Sequence, residues 1–159
     1  MDRSIGLAIA MSLSLVAGCA GTQQPKKATA PEKAAVAPAK PSDELYRALG
    51  GEAGIARVVD AALAEVHNDL RINILFEKTD LADLRRLLIE QICAATGGPC
   101  TYTGRSMEEA HSGLNLTDAD FDAFVDDLVR AMNATKVPAD RQKQLLDLFG
   151  PMRPEVVGQ

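Results

Sequence analysis

Three runs of apolar residues at helical spacing constrain the fold of this 159-residue chain more than any other feature. Apolar side chains that recur every three to four residues share one face of an α-helix, and burial of that face holds the helix in place. No run shows the alternation that is typical of a strand. The sequence therefore predicts an all-α fold, with these core-facing residues in three long helices: Ile55, Val58, Val59, Ala62, Leu63 and Val66; Leu81, Leu84, Leu88 and Ile92; Phe121, Phe124, Val125, Leu128, Val129 and Met132.

Capping residues and helix breakers predict where the helices begin and end. Ser and Asp favour the position before a helix, whereas Gly and Pro interrupt it. The predicted markers are, in chain order, Ser42-Asp43 before a short helix that Gly50-Gly51 stops, Thr79 or Asp80 before the helix that Gly97-Gly98-Pro99 breaks, Thr117 with Asp120, and Pro138 before a last helix ended by Gly150-Pro151.

His111 is predicted to lie on a short helix of its own. Ser106 with Glu109 three residues later forms a capping box, and Gly113 can end the helix in the left-handed conformation. On this helix Met107, Ala110, His111 and Leu114 share one face, so His111 is an imidazole on an apolar stripe. Such a ring suits a metal ligand in a dry pocket. From the residues alone, a satisfied core histidine is the more common explanation. The other histidine, His67, is expected to be an exposed residue at a helix end.

A resemblance to a known family favours the ligand interpretation. Gly97-Gly98-Pro99, Tyr102-Thr103-Gly104 and His111-Ser112-Gly113-Leu114 occur in the order found in the proximal half of a group I truncated haemoglobin, and Leu45 to Gly51 resembles the family's opening helix and double glycine. The match runs from there to about Val157. It implies a two-over-two helical sandwich over residues 42–159, with non-covalent haem b bound in a cavity beneath His111.

The resemblance also implies which residues contact the haem. His111 would be the iron ligand, and the cofactor-binding set would be Leu63, Leu75, Phe76, Leu84, Leu88, Ile92, Met107 and His111. Two of these depart from the family's pattern, because Leu63 stands where many relatives have a tyrosine and Leu88 where many have a glutamine. Gln91 is the nearest polar residue, and the sequence leaves open whether it reaches the pocket.

These features define two alternative functions. The first is a globin that reversibly binds oxygen, nitric oxide or carbon monoxide, for transport, gas sensing or nitric oxide handling, with or without a redox partner. Nitric oxide dioxygenase activity is disfavoured, because Leu63 and Leu88 replace the polar tyrosine and glutamine that many relatives have there. The alternative is a haem-free helical lipoprotein that binds a partner protein. The sequence has no Gly-rich phosphate loop, no second Cys or His at zinc spacing, and no Cys-x-x-Cys-His motif.

The amino-terminal region predicts export. Residues 1–18 contain a short apolar run ending in small residues, as in a signal peptide, and Cys19 after Gly18 resembles the lipidated cysteine of bacterial lipoproteins. A plain signal peptide is the alternative. Residues 19–41, rich in Ala, Pro and Lys, predict a disordered tether. The expected location is the periplasmic face of a bacterial membrane, held there by the lipid.

Charge separates the tether from the domain. The chain carries −5, the tether +3, and Asp2 cancels Arg3, which leaves −8 for residues 42–159. An acidic domain repels the phosphates of nucleic acid. The sequence therefore predicts no nucleic-acid partner.

The sequence also predicts a disulfide between Cys93 and Cys100. In a continuous helix their seven-residue separation would span about 10 Å, beyond the roughly 7 Å limit for a bridge. Gly97-Gly98-Pro99 breaks the helix between them and lets the chain fold back. Two separate thiols are the alternative, and export to an oxidising compartment favours the bridge.

Overall fold

The computed structural model of the protein describes residues 42–159. The signal peptide predicted over 1–18, the tether over 19–41 and the lipidation at Cys19 lie outside the described residues. The described residues form helices joined by turns and loops, without a strand, so the predicted all-α class is confirmed. The helices are α1 (Glu44–Ala48), α2 (Gly51–Asn68), α3 (Leu81–Ala95), α4 (Met107–His111), α5 (Asp118–Ala134), α6 (Ala139–Phe149) and α7 (Arg153–Val156), with short 3-10 turns at Asn73–Phe76 and Gly150–Met152. In this part of the chain, no helix has the length and apolar character needed to cross a membrane.

The core lies where α2 packs against α5 and α3. The predicted apolar stripe of α2 supplies much of it, and Ile55 and Val59 are each 1% exposed. Met132 from α5 and Leu145 from α6 close the same cluster. Burial of these side chains supplies the hydrophobic free energy that holds the four longer helices together.

The helix starts follow the predicted capping chemistry. Asp80, rather than Thr79, caps α3, because its carboxylate accepts hydrogen bonds from the backbone N–H groups of Ala82 and Asp83. Complete capping boxes stand at Ser106 before α4 and at Thr117 before α5. His67 is exposed near the end of α2, as predicted.

The carboxyl end of the described chain differs from the prediction. Gly150-Pro151 was expected to end the last helix. α6 does end at Phe149, as predicted, but it is not the last helix, because the chain continues through a 3-10 turn into α7. Gly150 takes an ordinary right-handed helical conformation, and Pro151 falls in the first turn, where its missing N–H leaves no hydrogen bond unmade. As a result α7 packs against α4, the helix that carries the histidine.

Candidate functional site

A cavity of about 870 Å³ opens between the 3-10 turn at Asn73–Phe76, α3, α4, α5 and α7. Its volume falls in the range of about 300–1,000 Å³ that is usual for cofactor sites. The structure gathers six of the residues predicted from the sequence in its wall: Leu75, Phe76, Leu84, Leu88, Met107 and His111. The wall is mainly apolar.

The two other predicted pocket residues, Leu63 and Ile92, do not line the cavity. Ile92 is 3% exposed in the core cluster, and Leu63 is partly buried against that cluster. The helix geometry explains why Ile92 lies outside the cavity wall. Each four-residue step along a helix drifts by about 40°, so a row that begins at Leu84 has turned by about 80° at Ile92 and faces the core.

The structure adds pocket residues that the sequence analysis assigned only to the core or passed over. Leu87 of α3 lies between the predicted leucines, and α5 presents Phe121, Phe124, Val125 and Leu128 to the cavity. The helical spacing of the α5 stripe was visible in the sequence. The sequence could not show which residues of this wide apolar stripe face a cavity and which face another helix.

His111 lines the cavity from α4 and is half-buried. Its Nδ1 lies 2.7 Å from the backbone carbonyl oxygen of Met107. A carbonyl oxygen only accepts hydrogen bonds, so Nδ1 carries the proton and donates it. Nε2 is then left with a lone pair, which is the form of imidazole that binds a metal.

Gln91 also lines the cavity, one turn after Leu87 and Leu88. Its Nε2 donates hydrogen bonds to the Sδ atoms of Met107 at 3.3 Å and Met152 at 3.6 Å. The sequence left open whether Gln91 reaches the pocket. In the structure its side chain is part of the cavity wall. Its acceptors are thioether sulfurs, which accept weakly.

A covalent and a polar link hold the loop between α3 and α4. Cys93 and Cys100 are joined in a disulfide, with their Cα atoms 5.7 Å apart. The chain turns between them at Gly97, which takes the left-handed conformation, and at the next residue, Gly98, a Cβ atom would stand 2.6 Å from Cys93 Sγ. Farther along the loop, Thr103 donates from its backbone N–H and its hydroxyl to the Glu90 carboxylate, at 3.0 and 2.7 Å.

The chain after α4 is held from the other side. The Asn115 N–H donates to the carbonyl oxygen of Gln159 at 2.8 Å, and the Gly158 N–H donates to that of Leu116 at 2.9 Å. Arg153 of α7 pairs with Asp118 and Asp122 and lies over the Phe121 ring, 4.3 Å from its centre. The segment that carries His111 is therefore fixed at both ends by other elements.

Comparison with known proteins identifies this arrangement. The family model of the bacterial-like globins matches residues 44–157. The chain belongs to this family. Among curated relatives, a group 1 truncated haemoglobin of Nostoc sp. (strain MUN 8820) is 33% identical over 115 residues, or 72% of this chain and 98% of the relative. One from Mycolicibacterium paratuberculosis is 30% identical over 112 residues, or 70% of this chain and 82% of the relative.

Solved structures agree with the sequence relatives. The truncated haemoglobin of Tetrahymena pyriformis in its Fe(III) form matches with a TM-score of 0.70 at 27% identity, over 72% of this chain and 98% of that one. The 2/2 haemoglobin of Synechococcus sp. PCC 7002, in the cyanomet state with covalently attached haem, gives 0.68 at 30% identity over the same shares. The predicted truncated-globin, two-over-two fold is confirmed, and the protein is a group 1 truncated haemoglobin.

The residues around this globin's cavity fit a haem group. The apolar wall suits the porphyrin faces, and His111 Nε2 offers one lone pair from that wall. Two cationic side chains, Lys78 and Arg105, line the cavity together with Glu77, Asp80, Asp83 and Asp120. Lys78 and Arg105 can pair with the carboxylates of a haem, while the apolar wall holds the ring.

The loop that leads to this globin's histidine helix should weaken in acid. Hydrogen bonds from the Thr103 hydroxyl and then its N–H, with help from Arg86, hold the pKa of Glu90 below its ordinary value of 4.5. The stabilisation is therefore complete above about pH 4.5 and is lost as the pH falls through the lower folded-state pKa. We expect Glu90→Gln to unfold at a lower temperature than the wild type at pH 7, and the difference to close in acid below about pH 4.5.

Thermal unfolding followed by circular dichroism across this pH range measures the effect. Glu52→Gln is the matched control, because it removes the same charge from an exposed position away from the loop. A difference between Glu90→Gln and the wild type that stayed constant into strong acid would contradict the prediction.

Proposed function

We propose that this truncated haemoglobin binds haem b non-covalently, with His111 as the proximal iron ligand, and that it binds diatomic gases reversibly. The observation that carries the proposal is that His111 lines a large apolar cavity while its Nδ1 donates to the Met107 carbonyl, which leaves Nε2 available to bind iron. Haem iron, when bound, supplies the reversible binding of oxygen, nitric oxide or carbon monoxide. Thioether attachment of the haem at Cys93 or Cys100 is disfavoured, because these two sulfurs form a disulfide.

Apolar side chains of this chain would surround the haem and exclude water from it. Leu84, Leu87 and Leu88 form the α3 wall, and Phe121 and Phe124 form part of the α5 wall. Such a wall excludes water and adds contact area for a flat apolar ring. Lys78 and Arg105 are placed to pair with the propionate carboxylates at the polar edge of the cavity.

The leucines of α3 also bear on which gas is favoured. Bound oxygen carries more negative charge than carbon monoxide and gains more from a nearby hydrogen-bond donor. Leu84 and Leu88 offer no donor, and Gln91 directs its N–H groups to two sulfurs. We therefore favour gas sensing, nitric oxide handling or electron transfer over oxygen storage.

We expect His111→Ala to abolish stable haem binding. Loss of the metal ligand should speed haem dissociation by more than about 100-fold, because changes to the outer shell alone cost 10- to 100-fold. The measurement is the Soret spectrum of haem-reconstituted protein together with haem transfer to an excess of apomyoglobin. His67→Ala is the control, since His67 is an exposed imidazole on α2.

An unchanged Soret spectrum and haem release rate in His111→Ala would refute the assignment of the ligand. Failure of the wild-type chain to take up haem at all would refute the proposed function, and would leave the haem-free, partner-binding alternative.

We expect the wild type to release oxygen quickly, and Leu88→Gln to slow that release. A hydrogen bond from a new donor contributes about 1–3 kcal/mol, which corresponds to a roughly 5- to 150-fold change in rate. Stopped-flow measurement of oxygen and carbon monoxide dissociation tests this, with Leu88→Met as the apolar control of similar size. Slow oxygen release by the wild type would show that another group already supplies the donor.

We also propose that the chain is exported and anchored to a bacterial membrane through lipid on Cys19, facing the periplasm. The support is the apolar run before Gly18-Cys19 and the Ala, Pro and Lys composition of 19–41.

We expect Cys19→Ser to move the protein from the membrane to the soluble fraction or to leave it uncleaved. The measurement is fractionation with mass spectrometry of the mature amino terminus, and Ser14→Ala is a control within the same region. Membrane association that is unchanged in Cys19→Ser would contradict the anchor.

A further inference from the structure

The helix that carries His111 is too short to hold its own position. α4 has five residues, fewer than an isolated helix needs for stability in water. On one side it packs against α7. Toward α3 lies the cavity, to whose wall both helices contribute. Side chains that reach from α3 to α4 therefore help to set the position of α4.

Gln91 makes such a connection. Its side-chain NH₂ has two hydrogens, and two acceptors stand near them: Sδ of Met107 in α4 at 3.3 Å and Sδ of Met152 at 3.6 Å. Within residues 42–159, the hydrogen bond between α3 and α4 is this one, from Gln91 to Met107. Met152 belongs to the 3-10 turn that leads into α7. One amide thus connects α3, α4 and the turn that leads into α7, which itself packs against α4.

Met107 passes this connection to the histidine. Its side chain accepts from Gln91, and its backbone carbonyl oxygen accepts from His111 Nδ1 at 2.7 Å. A shift of Met107 would move the acceptor that sets the tautomer and orientation of the imidazole ring. The path from α3 to His111 therefore has two hydrogen bonds and one residue between them.

The amide needs an explanation because an apolar residue would fill the same space at lower cost. Moving an amide from water into an apolar environment is unfavourable unless it is hydrogen-bonded, and the neighbouring residues on this face of α3 are Leu84, Leu87 and Leu88. A methionine or leucine at position 91 would continue the row. What the glutamine adds is directed N–H donors.

We propose that Gln91 is a positioning residue for His111, acting through Met107. This inference rests on the proposed role of His111 as haem ligand. Gln91 fixes the distance between α3 and α4, and in this way it holds the His111 imidazole in one orientation relative to the iron.

The test uses three variants of the full chain: Gln91→Met, which keeps the length of the side chain and removes the donors; Met107→Leu, which removes the acceptor; and the double variant. The first readout is the iron–histidine stretching frequency in the resonance Raman spectrum of the ferrous, unliganded protein. We expect each single variant to shift this frequency and to speed haem release by about fivefold, the effect of one lost hydrogen bond. The double variant should show no larger change than one single variant, because the two residues share one interaction.

A second readout does not need haem. In the apoprotein, exchange of the His111 Nδ1 proton with water, measured by NMR, should be about fivefold faster in Gln91→Met and in Met107→Leu. Gln144→Met, the same substitution at an exposed position on α6, should leave the exchange rate and the iron–histidine frequency unchanged. If the wild type takes up no haem, the proposed function fails and this exchange rate still decides the role of Gln91. Unchanged exchange in Gln91→Met, or effects on it that add in the double variant, would overturn the proposal.

Discussion

The hydrogen bond from His111 Nδ1 to the Met107 carbonyl is the interaction on which the proposed site depends. An imidazole can offer a lone pair at one nitrogen only if the other keeps its proton, and the carbonyl holds that proton in place. The acceptor comes from the same short helix, one turn earlier. The geometry of the ligand is therefore only as well defined as the position of α4. This explains why the disulfide, the Glu90–Thr103 bonds, Gln91 and α7 all converge on the segment around that helix.

The main hydrophobic core and the cavity lie in different parts of the fold. Ile55, Val59 and Met132 are among the most buried side chains, and they lie between α2, α5 and α3 without lining the cavity. α3 takes part in both regions, since Ile89 and Ile92 face the core and Leu84 and Leu88 face the cavity. Because the core faces fix α2, α3 and α5, the cavity wall need not collapse to stabilise the fold. Filling this open cavity with a large apolar cofactor is favourable, because it removes the apolar surface of the wall from water.

The parts of the structure that were predictable from the sequence are those that depend on local chemistry. Helical spacing located α2, α3 and α5, and the pairing of Ser106 with Glu109 located the start of α4. α7 was missed, because Gly150-Pro151 is typical of a helix end and only tertiary packing shows that the chain continues. The resemblance implied Ile92 as a pocket residue, and the drift of the helix turns it toward the core in the structure. The contacts of Gln91 join residues 16 and 61 positions apart, and no local pattern contains them.

The disulfide connects the proposed compartment of this globin with the geometry of its site. It joins the end of α3 to the loop before α4, and Cys93 is completely buried. Thiol–disulfide exchange needs a thiolate to reach one of the two sulfurs, and burial of Cys93 leaves only the half-buried Cys100 side open to attack. Gly98 packs closely against Cys93, which further restricts that approach. These contacts favour a permanent structural bond over a switch. Such a bond forms readily in an oxidising compartment, so export would supply the covalent support that a five-residue histidine helix lacks by itself.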